Sequence, residues 1–172
     1  MKKKSIIIIV FSSILLLTGV AFFSFFRFVH LSNPIEIDGV SWDTRTEGKK
    51  EIVYHIRNKG LTSITIKEVT LNHGKQPKEL ALGISYSGHL VQPGTDDPMI
   101  KFMKIDAAPI NPMLNPKEIT EAINRKENTP FYYGIKVEFY QEPIKSMTVK
   151  YMYFGFLVTK KYNLEELWSV EN

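Results

Sequence analysis

An uncharged apolar run near the start of the chain constrains the fold more than any other feature of the sequence. Between Lys4 and Arg27, the segment from Ser5 to Phe26 carries no charge, and 16 of its 22 residues are Ile, Leu, Val, Phe or Ala. As an α-helix, 22 residues reach roughly 33 Å, which matches a hydrocarbon core about 30 Å thick. Transfer of the larger apolar side chains favours insertion by roughly 5–9 kcal/mol. We therefore predict that residues 5–27 form a transmembrane signal anchor.

Basic residues flank this run and set its predicted orientation. Residues 1–4 include three lysines, and together with Arg27 they account for the whole net charge of +4, so the rest of the chain is formally neutral. Positive charge before a span keeps that side in the cytoplasm. We expect residues 1–4 to be a cytoplasmic tip and the part after the span to lie outside the cell membrane. A neutral outer domain lacks the basic patch of a nucleic-acid-binding protein, so no nucleic-acid partner is predicted.

A cleaved secretory signal peptide is the competing interpretation of the same run. The small-x-small site is Gly19-Val20-Ala21, and cleavage there would leave a mature end that begins with Phe22 and Phe23. Such an end would be poorly soluble, which favours a retained anchor. The chain contains no cysteine, which excludes a lipidated lipoprotein, a disulfide and a cysteine-ligated metal. An exported domain without disulfides behind a Lys-rich start suggests a protein of the bacterial cell envelope.

Residues 28–34 are predicted to be a short linker, and residues 35–172 an extracytoplasmic β domain. Apolar residues alternate at period two along most of this domain, which is typical of strands with one face in a core. The turn signal Asn58-Lys59-Gly60 predicts that the second and third strands form a hairpin, with a slip at Glu68. The predicted strands are Ile35–Trp42, Glu51–Asn58, Thr62–Asn72, Leu80–Tyr86, Met99–Ile105, Tyr133–Phe139 and a long strand that runs from Met147 past Gly155 to Val158.

Two segments carry helix-start signals instead. Asn115-Pro116-Lys117-Glu118 combines an N-cap residue, a proline at the first helical position and a glutamate three residues after the cap. This pattern predicts a short helix, with Ile119, Ala122 and Ile123 on one face. Asn163 followed by Glu166 repeats the cap pattern and predicts a terminal helical turn.

About seven strands at roughly ten-residue spacing, without a βαβ rhythm, predict an antiparallel β-sandwich with one short helix. Two segments, Ile52-Val53-Tyr54-His55-Ile56-Arg57-Asn58-Lys59-Gly60 and Tyr133-Gly134-Ile135-Lys136-Val137-Glu138-Phe139, resemble strands of the immunoglobulin-like and fibronectin-type modules of bacterial surface proteins. The resemblance covers about two thirds of the chain, and the helix at Pro116 departs from it. It implies an immunoglobulin-like sandwich that binds or spaces more often than it catalyses.

The residues that could carry chemistry do not form a recognisable motif. None of the four histidines has the spacing of a metal ligand pair, and His55 is interpreted as a partly exposed strand residue. Gly83-Ile84-Ser85-Tyr86-Ser87-Gly88 resembles a nucleophile elbow only in spacing, because the strand pattern continues through it. Asp96-Asp97 is either a solvated turn or part of a calcium site, and the turn is favoured. No catalytic, cofactor-binding or metal-binding residue is predicted, and no enzymatic activity.

Aromatic residues near the end of the chain are the most suggestive feature. Tyr140, Met152 and Phe154 fall opposite the predicted core positions, and together with Trp168 they are the candidate interaction surface. The alternative is a second layer of packing against the terminal turn. We expect a single-pass envelope protein with a non-catalytic interaction or accessory domain and a protein partner at the same membrane. A polysaccharide-binding or other ligand-binding module and an envelope enzyme are the two rival functions.

Overall fold

The computed structural model describes residues 3–43, 51–125, 127–139 and 143–168. The chain divides into two compact units, Met1–Ser32 and Asn33–Asn172. The first unit contains one helix and the second contains the β domain, and each is described by itself.

Helix α1 spans Lys3–Leu31, so it includes the first four residues of the segment 28–34 that the sequence predicts to be a linker. Its stretch from Ile7 to Leu31 is 25 residues long and is apolar enough to cross a membrane. At 1.5 Å per residue this stretch measures about 37 Å, which exceeds a hydrocarbon core of about 30 Å. The hydroxyl groups of Ser13 and Thr18 donate to the carbonyl groups four residues earlier, each at 2.9 Å. These polar groups are therefore satisfied within the helix, as an apolar surrounding requires.

The second unit is mainly β, and its eight described strands form two antiparallel sheets that make a sandwich-like fold. One sheet has the order β1-β2-β6-β4-β5 and the other the order β3-β7-β8. The elements are β1 (Ile35–Asp43), β2 (Glu51–Asn58), β3 (Thr65–Leu71), β4 (Glu79–Ser85), β5 (Ile100–Met103), α2 (Pro116–Asn124), β6 (Tyr132–Glu138), β7 (Ser146–Tyr153), β8 (Phe156–Asn163) and α3 (Glu165–Trp168). The predicted mainly β sandwich is confirmed, with one strand more than expected.

Strict alternation along the strands builds the core. In β7, every second residue from Met147 to Tyr153 is at most 2% exposed, and the residues between them are half-buried. Such alternation places one face of a strand inside and leaves the other to solvent. The largest fully buried side chains come from both sheets and from the connections between them: Tyr54, Tyr151, Tyr153, Ile35, Ile64, Ile66, Leu71, Leu82, Ile84, Ile110, Ile135 and Met147.

The predicted hairpin of the second and third strands is wrong. β2 pairs with β1 and β6, whereas β3 pairs with β7 in the other sheet, so residues 59–64 cross from one sheet to the other. The buried side chain of Asn58 holds this crossing. Its amide donates to the carbonyl groups of Thr62 and Ile110, each at 2.9 Å, and its oxygen accepts from the backbone of Gly60. The chain does bend at Gly60, but this asparagine directs the connection across the sandwich. The slip at Glu68 is confirmed as a register shift between β3 and β7.

The long strand predicted to run past Gly155 is also wrong. The chain reverses at Phe154 and Gly155, and β7 and β8 form a tight antiparallel hairpin with Tyr153 opposite Phe156. Both turn residues have positive φ, 50° at Phe154 and 80° at Gly155, as two-residue hairpin turns of type I′ require. The turn was missed because asparagine or aspartate, and not phenylalanine, is usual at the first position.

Two paired glycines on the outer face of the five-stranded sheet leave space for a side chain of the loop formed by residues 86–99. Gly134 of β6 pairs with Gly83 of β4, which leaves a hollow between the strands. Val91 from the loop fills this hollow and is fully buried. A Cβ atom on Gly83 would lie 2.4 Å from Val91 Cγ1, and one on Gly134 would lie 2.5 Å from Val53 Cγ1. The two glycines are thus required by the close approach of valine side chains.

Both predicted helix starts are confirmed. Asn115 caps α2: its side-chain oxygen accepts from the backbone of Glu118 at 3.0 Å, and Glu118 accepts from the backbone of Asn115 at 2.7 Å. This reciprocal pair is a capping box. Asn163 accepts from the backbone of Glu165 at the start of α3.

Candidate functional site

An apolar cleft of about 340 Å³ is the candidate functional site. It lies where β2 ends and β6 begins, and the first turn of α2 and the segment before that helix form its other wall. The residues that give the cleft its apolar character are Ile56, Pro112, Met113, Leu114, Pro116, Ile119, Pro130 and Phe131. Its volume falls at the lower end of the range typical of ligand sites, which are also mostly apolar.

The proline-rich wall of the cleft is held by backbone hydrogen bonds. The backbone N–H of Met113 donates to the carbonyl group of Asn58 at 2.8 Å, and that of Asn111 donates to the hydroxyl group of Tyr133 at 3.1 Å. Ile110 and Ile64 exchange two hydrogen bonds of 2.7 and 3.0 Å. The prolines exclude this segment from a regular sheet, but these bonds fix it against β2, β6 and the crossing of residues 59–64. The wall therefore has a fixed backbone conformation, although it is not part of a sheet.

The cleft lies at the end of the sandwich where β1 begins, which we call the Pro34 end. Ile35, the first residue of β1, is opposite Asn58 in the sheet register. The backbone N–H of Lys59 donates to the carbonyl group of Pro34 at 2.8 Å. A Cβ atom on Gly60 would lie 2.7 Å from Pro34 Cβ, so the crossing of residues 59–64 packs closely on the start of the domain.

Electrostatics favour an apolar ligand in this cleft. Arg57 lines it, but its guanidinium group forms an ion pair of 2.6 Å with Asp38. The N-terminal amides of α2 are no free anion site, because the capping box of Asn115 and Glu118 engages them. Met113 is 51% exposed at the rim, which gives an entering ligand a flexible apolar contact.

The predicted interaction surface is described only in part. Tyr140 and the side chain of Trp168 lie outside the described residues. Met152 is half-buried on the outer face of β7, and Phe154 is 36% exposed in the turn that follows. Leu157 of β8 lies opposite Met152 and is 55% exposed, so it extends the apolar surface that the sequence had indicated. Sequence reasoning missed Leu157 because it missed the hairpin.

A second polar cluster contains Ser87, His89 and Asp97 in the loop of residues 86–99. One carboxylate oxygen of Asp97 accepts from Ser87 Oγ at 3.1 Å and lies 3.2 Å from His89 Nδ1, and the other accepts from the backbone of Met99 at 2.8 Å. The Met99 bond and then the His89 bond lower the pKa of the Asp97 carboxyl group. Because Ser87 donates to the carboxylate and not to the imidazole, the geometry closes a loop and does not activate a nucleophile.

The remaining residues singled out in the sequence have structural partners. Ser85, at the centre of the elbow-like spacing, is buried in β4 and donates to the carbonyl group of Ser87. His55 is half-buried, with Nε2 2.9 Å from Ser41 Oγ and 3.1 Å from the carbonyl oxygen of Val91, and burial lowers its pKa. Among the described residues, no three His, Cys, Asp or Glu side chains group as metal ligands.

A charged side chain also covers part of the outer face of the five-stranded sheet. Lys136 lies 3.1 Å from carboxylate oxygens of both Glu51 and Glu79, and its ammonium group is 5.3 Å from the ring centre of Phe102. Burial alone would lower the pKa of Lys136, but the hydrogen bonds that it donates to the two glutamates, together with their negative charges, outweigh burial and raise the pKa. The part of this face around Lys136 is therefore polar, and its charges are paired with one another, in contrast to the cleft.

Comparisons with known proteins add no relationship: no family model matches the chain, and neither curated proteins nor solved structures give a match.

Proposed function

We propose that this chain is a single-pass protein of the bacterial cell membrane whose extracytoplasmic β-sandwich binds an apolar segment of a partner protein in the same membrane. The apolar cleft at the Pro34 end is the observation that carries this proposal. Only Ser32, Asn33 and Pro34 separate α1 from β1. A ligand site at the start of the domain therefore favours a partner that is itself held at the membrane.

Two features support the anchored topology. α1 has the length and the apolar character of a membrane span. The basic residues before it favour a cytoplasmic N-terminus by the positive-inside rule. If the anchor is retained, the intact mass of protein purified from membranes will include residues 1–21, whereas a chain that begins at Phe22 would contradict the anchor.

The strand order supports an immunoglobulin-like arrangement of the domain. Constant-type immunoglobulin sandwiches have one sheet in the order ABED and the other in the order CFG. The orders β1-β2-β6-β4 and β3-β7-β8 follow that pattern, with β5 added at the edge and α2 inserted before β6. Sandwiches of this kind commonly serve in recognition, although the fold alone does not decide the function.

The character of the cleft favours binding of an apolar segment over the rival functions. Apolar and proline side chains dominate its lining, and the charged group on its wall is paired. A polysaccharide site would present exposed tyrosine rings, but the seven described tyrosines are buried or half-buried. The Ser87, His89 and Asp97 geometry gives no support to a hydrolase.

Site-specific photo-crosslinking of the full chain in living cells tests this function. We expect a photoreactive residue in place of Met113 to give a discrete crosslinked product with a membrane protein. The matched control is the same replacement at His73, which is exposed in the turn after β3. In a chain that also carries Leu114→Asp, the Met113 product should disappear while the protein still accumulates in the membrane. Equal products from positions 113 and 73, or none from 113, would argue against the cleft.

A further inference from the structure

Three exposed apolar side chains belong to the crossing of residues 59–64 and to the β7–β8 hairpin at the Pro34 end of the sandwich, and we call them the turn patch. Leu61 is 77% exposed, Leu157 is 55% exposed and Phe154 is 36% exposed. The backbone N–H of Leu61 donates to the hydroxyl group of Tyr153 at 3.1 Å, so the crossing of residues 59–64 lies beside the hairpin tip. Exposed apolar side chains concentrated at one end of a domain are candidates for a contact surface.

The conformation of Phe154 is costly for a surface residue. Its φ of 50° lies in the left-handed region, where residues other than glycine, asparagine and aspartate are rare. Holding such a residue there costs on the order of 1–3 kcal/mol. Its ring packs against Tyr153 with centroids 4.6 Å apart, which offsets part of this cost. The turn thus presents a phenylalanine at the tip where asparagine would fit the backbone better.

Charge is distributed unevenly between the two ends of the three-stranded sheet. At the Pro34 end, residues 60–66 and 151–159 contain no charged side chain, and the neighbouring Lys59 is paired with Glu36. At the opposite end, the turn that follows β3 contains His73, Lys75 and Lys78, and the strand opposite begins just after Lys145. Water favours the second composition, whereas the interfacial region of a bilayer accepts the first, including its aromatic residues.

The turn patch is close in the chain to the membrane anchor, which favours the bilayer as the surface that it contacts. A Cβ atom on Gly60 would lie 2.7 Å from Pro34 Cβ and 2.8 Å from the hydroxyl oxygen of Tyr153, so the patch is at the Pro34 end. The three residues between α1 and β1 can span at most roughly 11 Å. We propose that the turn patch inserts into the headgroup region of the bilayer that α1 spans. This inference rests on the membrane anchor of the proposed function but not on the cleft or on its protein partner.

The absence of native cysteine allows a direct test on the full chain. Single variants Leu61→Cys and Leu157→Cys would carry an environment-sensitive nitrobenzoxadiazole probe in phosphatidylcholine–phosphatidylglycerol vesicles, with and without lipids that bear a quencher near the headgroup. His73→Cys at the opposite end is the matched control, and Val20→Cys, near the middle of α1, reports on the anchor in parallel vesicles whose lipids bear the quencher along the acyl chain. We expect at least twofold quenching at positions 61 and 157, and none at position 73.

Each outcome separates this proposal from the anchor on which it rests. Quenching at position 20 but not at 61 and 157 would overturn the lipid contact alone. A blue-shifted but unquenched probe at 61 and 157 would also overturn it, because protein and not lipid would then cover the patch. Loss of quenching at position 20 together with extraction by alkaline carbonate would overturn the anchor as well. In the Leu157→Cys chain, the further change Phe154→Asn keeps a favourable turn and should reduce the quenching at 157 about twofold.

Discussion

Val91 is expected to couple energetically to Gly83 and much less to Gly134. Val91→Ala removes two methyl groups from a fully buried side chain, which should cost about 2 kcal/mol. Gly83→Ala places a Cβ atom 2.4 Å from Val91 Cγ1, where ordinary contacts are 3.4 Å or longer. Such overpacking should cost about 1–3 kcal/mol. In the double variant Val91 Cγ1 is gone and the remaining close contact of the new Cβ atom is with Phe102 Cε1 at 2.8 Å, so the cost should fall clearly below the sum of the two single costs.

Gly134→Ala provides the matched comparison. Its Cβ atom would lie 2.5 Å from Val53 Cγ1 but 3.3 Å from the nearest Val91 atom, so Val91→Ala does not remove the main clash. Its cost and that of Val91→Ala should therefore be nearly additive, whereas the Gly83 pair should show a coupling of at least about 1 kcal/mol. Urea unfolding of the full chain in detergent micelles, followed by far-ultraviolet circular dichroism, measures both cycles. Additive unfolding free-energy costs in the Gly83 cycle would refute the close contact between Val91 and Gly83.

Three further changes test the cap, the half-buried histidine and the hairpin turn. Asn115→Ala should lower the free energy of unfolding by about 1 kcal/mol, because it removes the capping box of α2, and Asn115→Asp should restore most of the loss in the same urea titration. Because burial lowers the pKa of His55 below 6.5, with Asp38 and Arg57 as nearby charges, the native state binds fewer protons than the unfolded state. The thermal midpoint should hold above about pH 6.5 and fall as the pH decreases from there towards the pKa of the folded state, and His55→Gln should flatten this dependence. Phe154→Asn should raise the thermal midpoint by the equivalent of roughly 0.5–1 kcal/mol, because asparagine tolerates the positive φ better, although the ring contact with Tyr153 is lost. Phe154→Leu should lower the thermal midpoint, because it loses the ring contact and keeps the unfavourable φ.

Local patterns predicted most of the elements of this domain because each depends on neighbouring residues. The alternation from Met147 to Tyr153 and the capping box at Asn115 need no information from distant parts of the chain. Sheet assignment does need it. The turn after β2 leads across the sandwich because Asn58 binds the carbonyl group of Ile110, 52 residues away. No pattern within a short window contains that contact.

The candidate sites were the least predictable part for the same reason. The cleft joins Ile56, Met113 and Phe131, which lie on separate elements and which no common motif connects. Val91 lies in the connection between β4 and β5, where the sequence predicts neither a strand nor a core position, yet it is fully buried. One signal for its position was present in the sequence: Gly83 and Gly134 interrupt two otherwise bulky strands, and glycine within a strand often marks the close approach of another chain segment.

The turn patch and the cleft lie at the same end of the sandwich, which restricts the partners that the cleft can receive. A strand of eight residues such as β2 is roughly 26 Å long, so the two ends of the sandwich are separated by about that distance. If the proposed lipid contact forms, the cleft beside Asn58 is at the membrane-proximal end of the domain, because the turn patch and the cleft share the Pro34 end. A soluble partner would have to approach it along the bilayer, whereas the membrane-proximal segment of another anchored protein is already at that height. The two proposals, the lipid contact and a protein partner in the same membrane, are therefore consistent with each other.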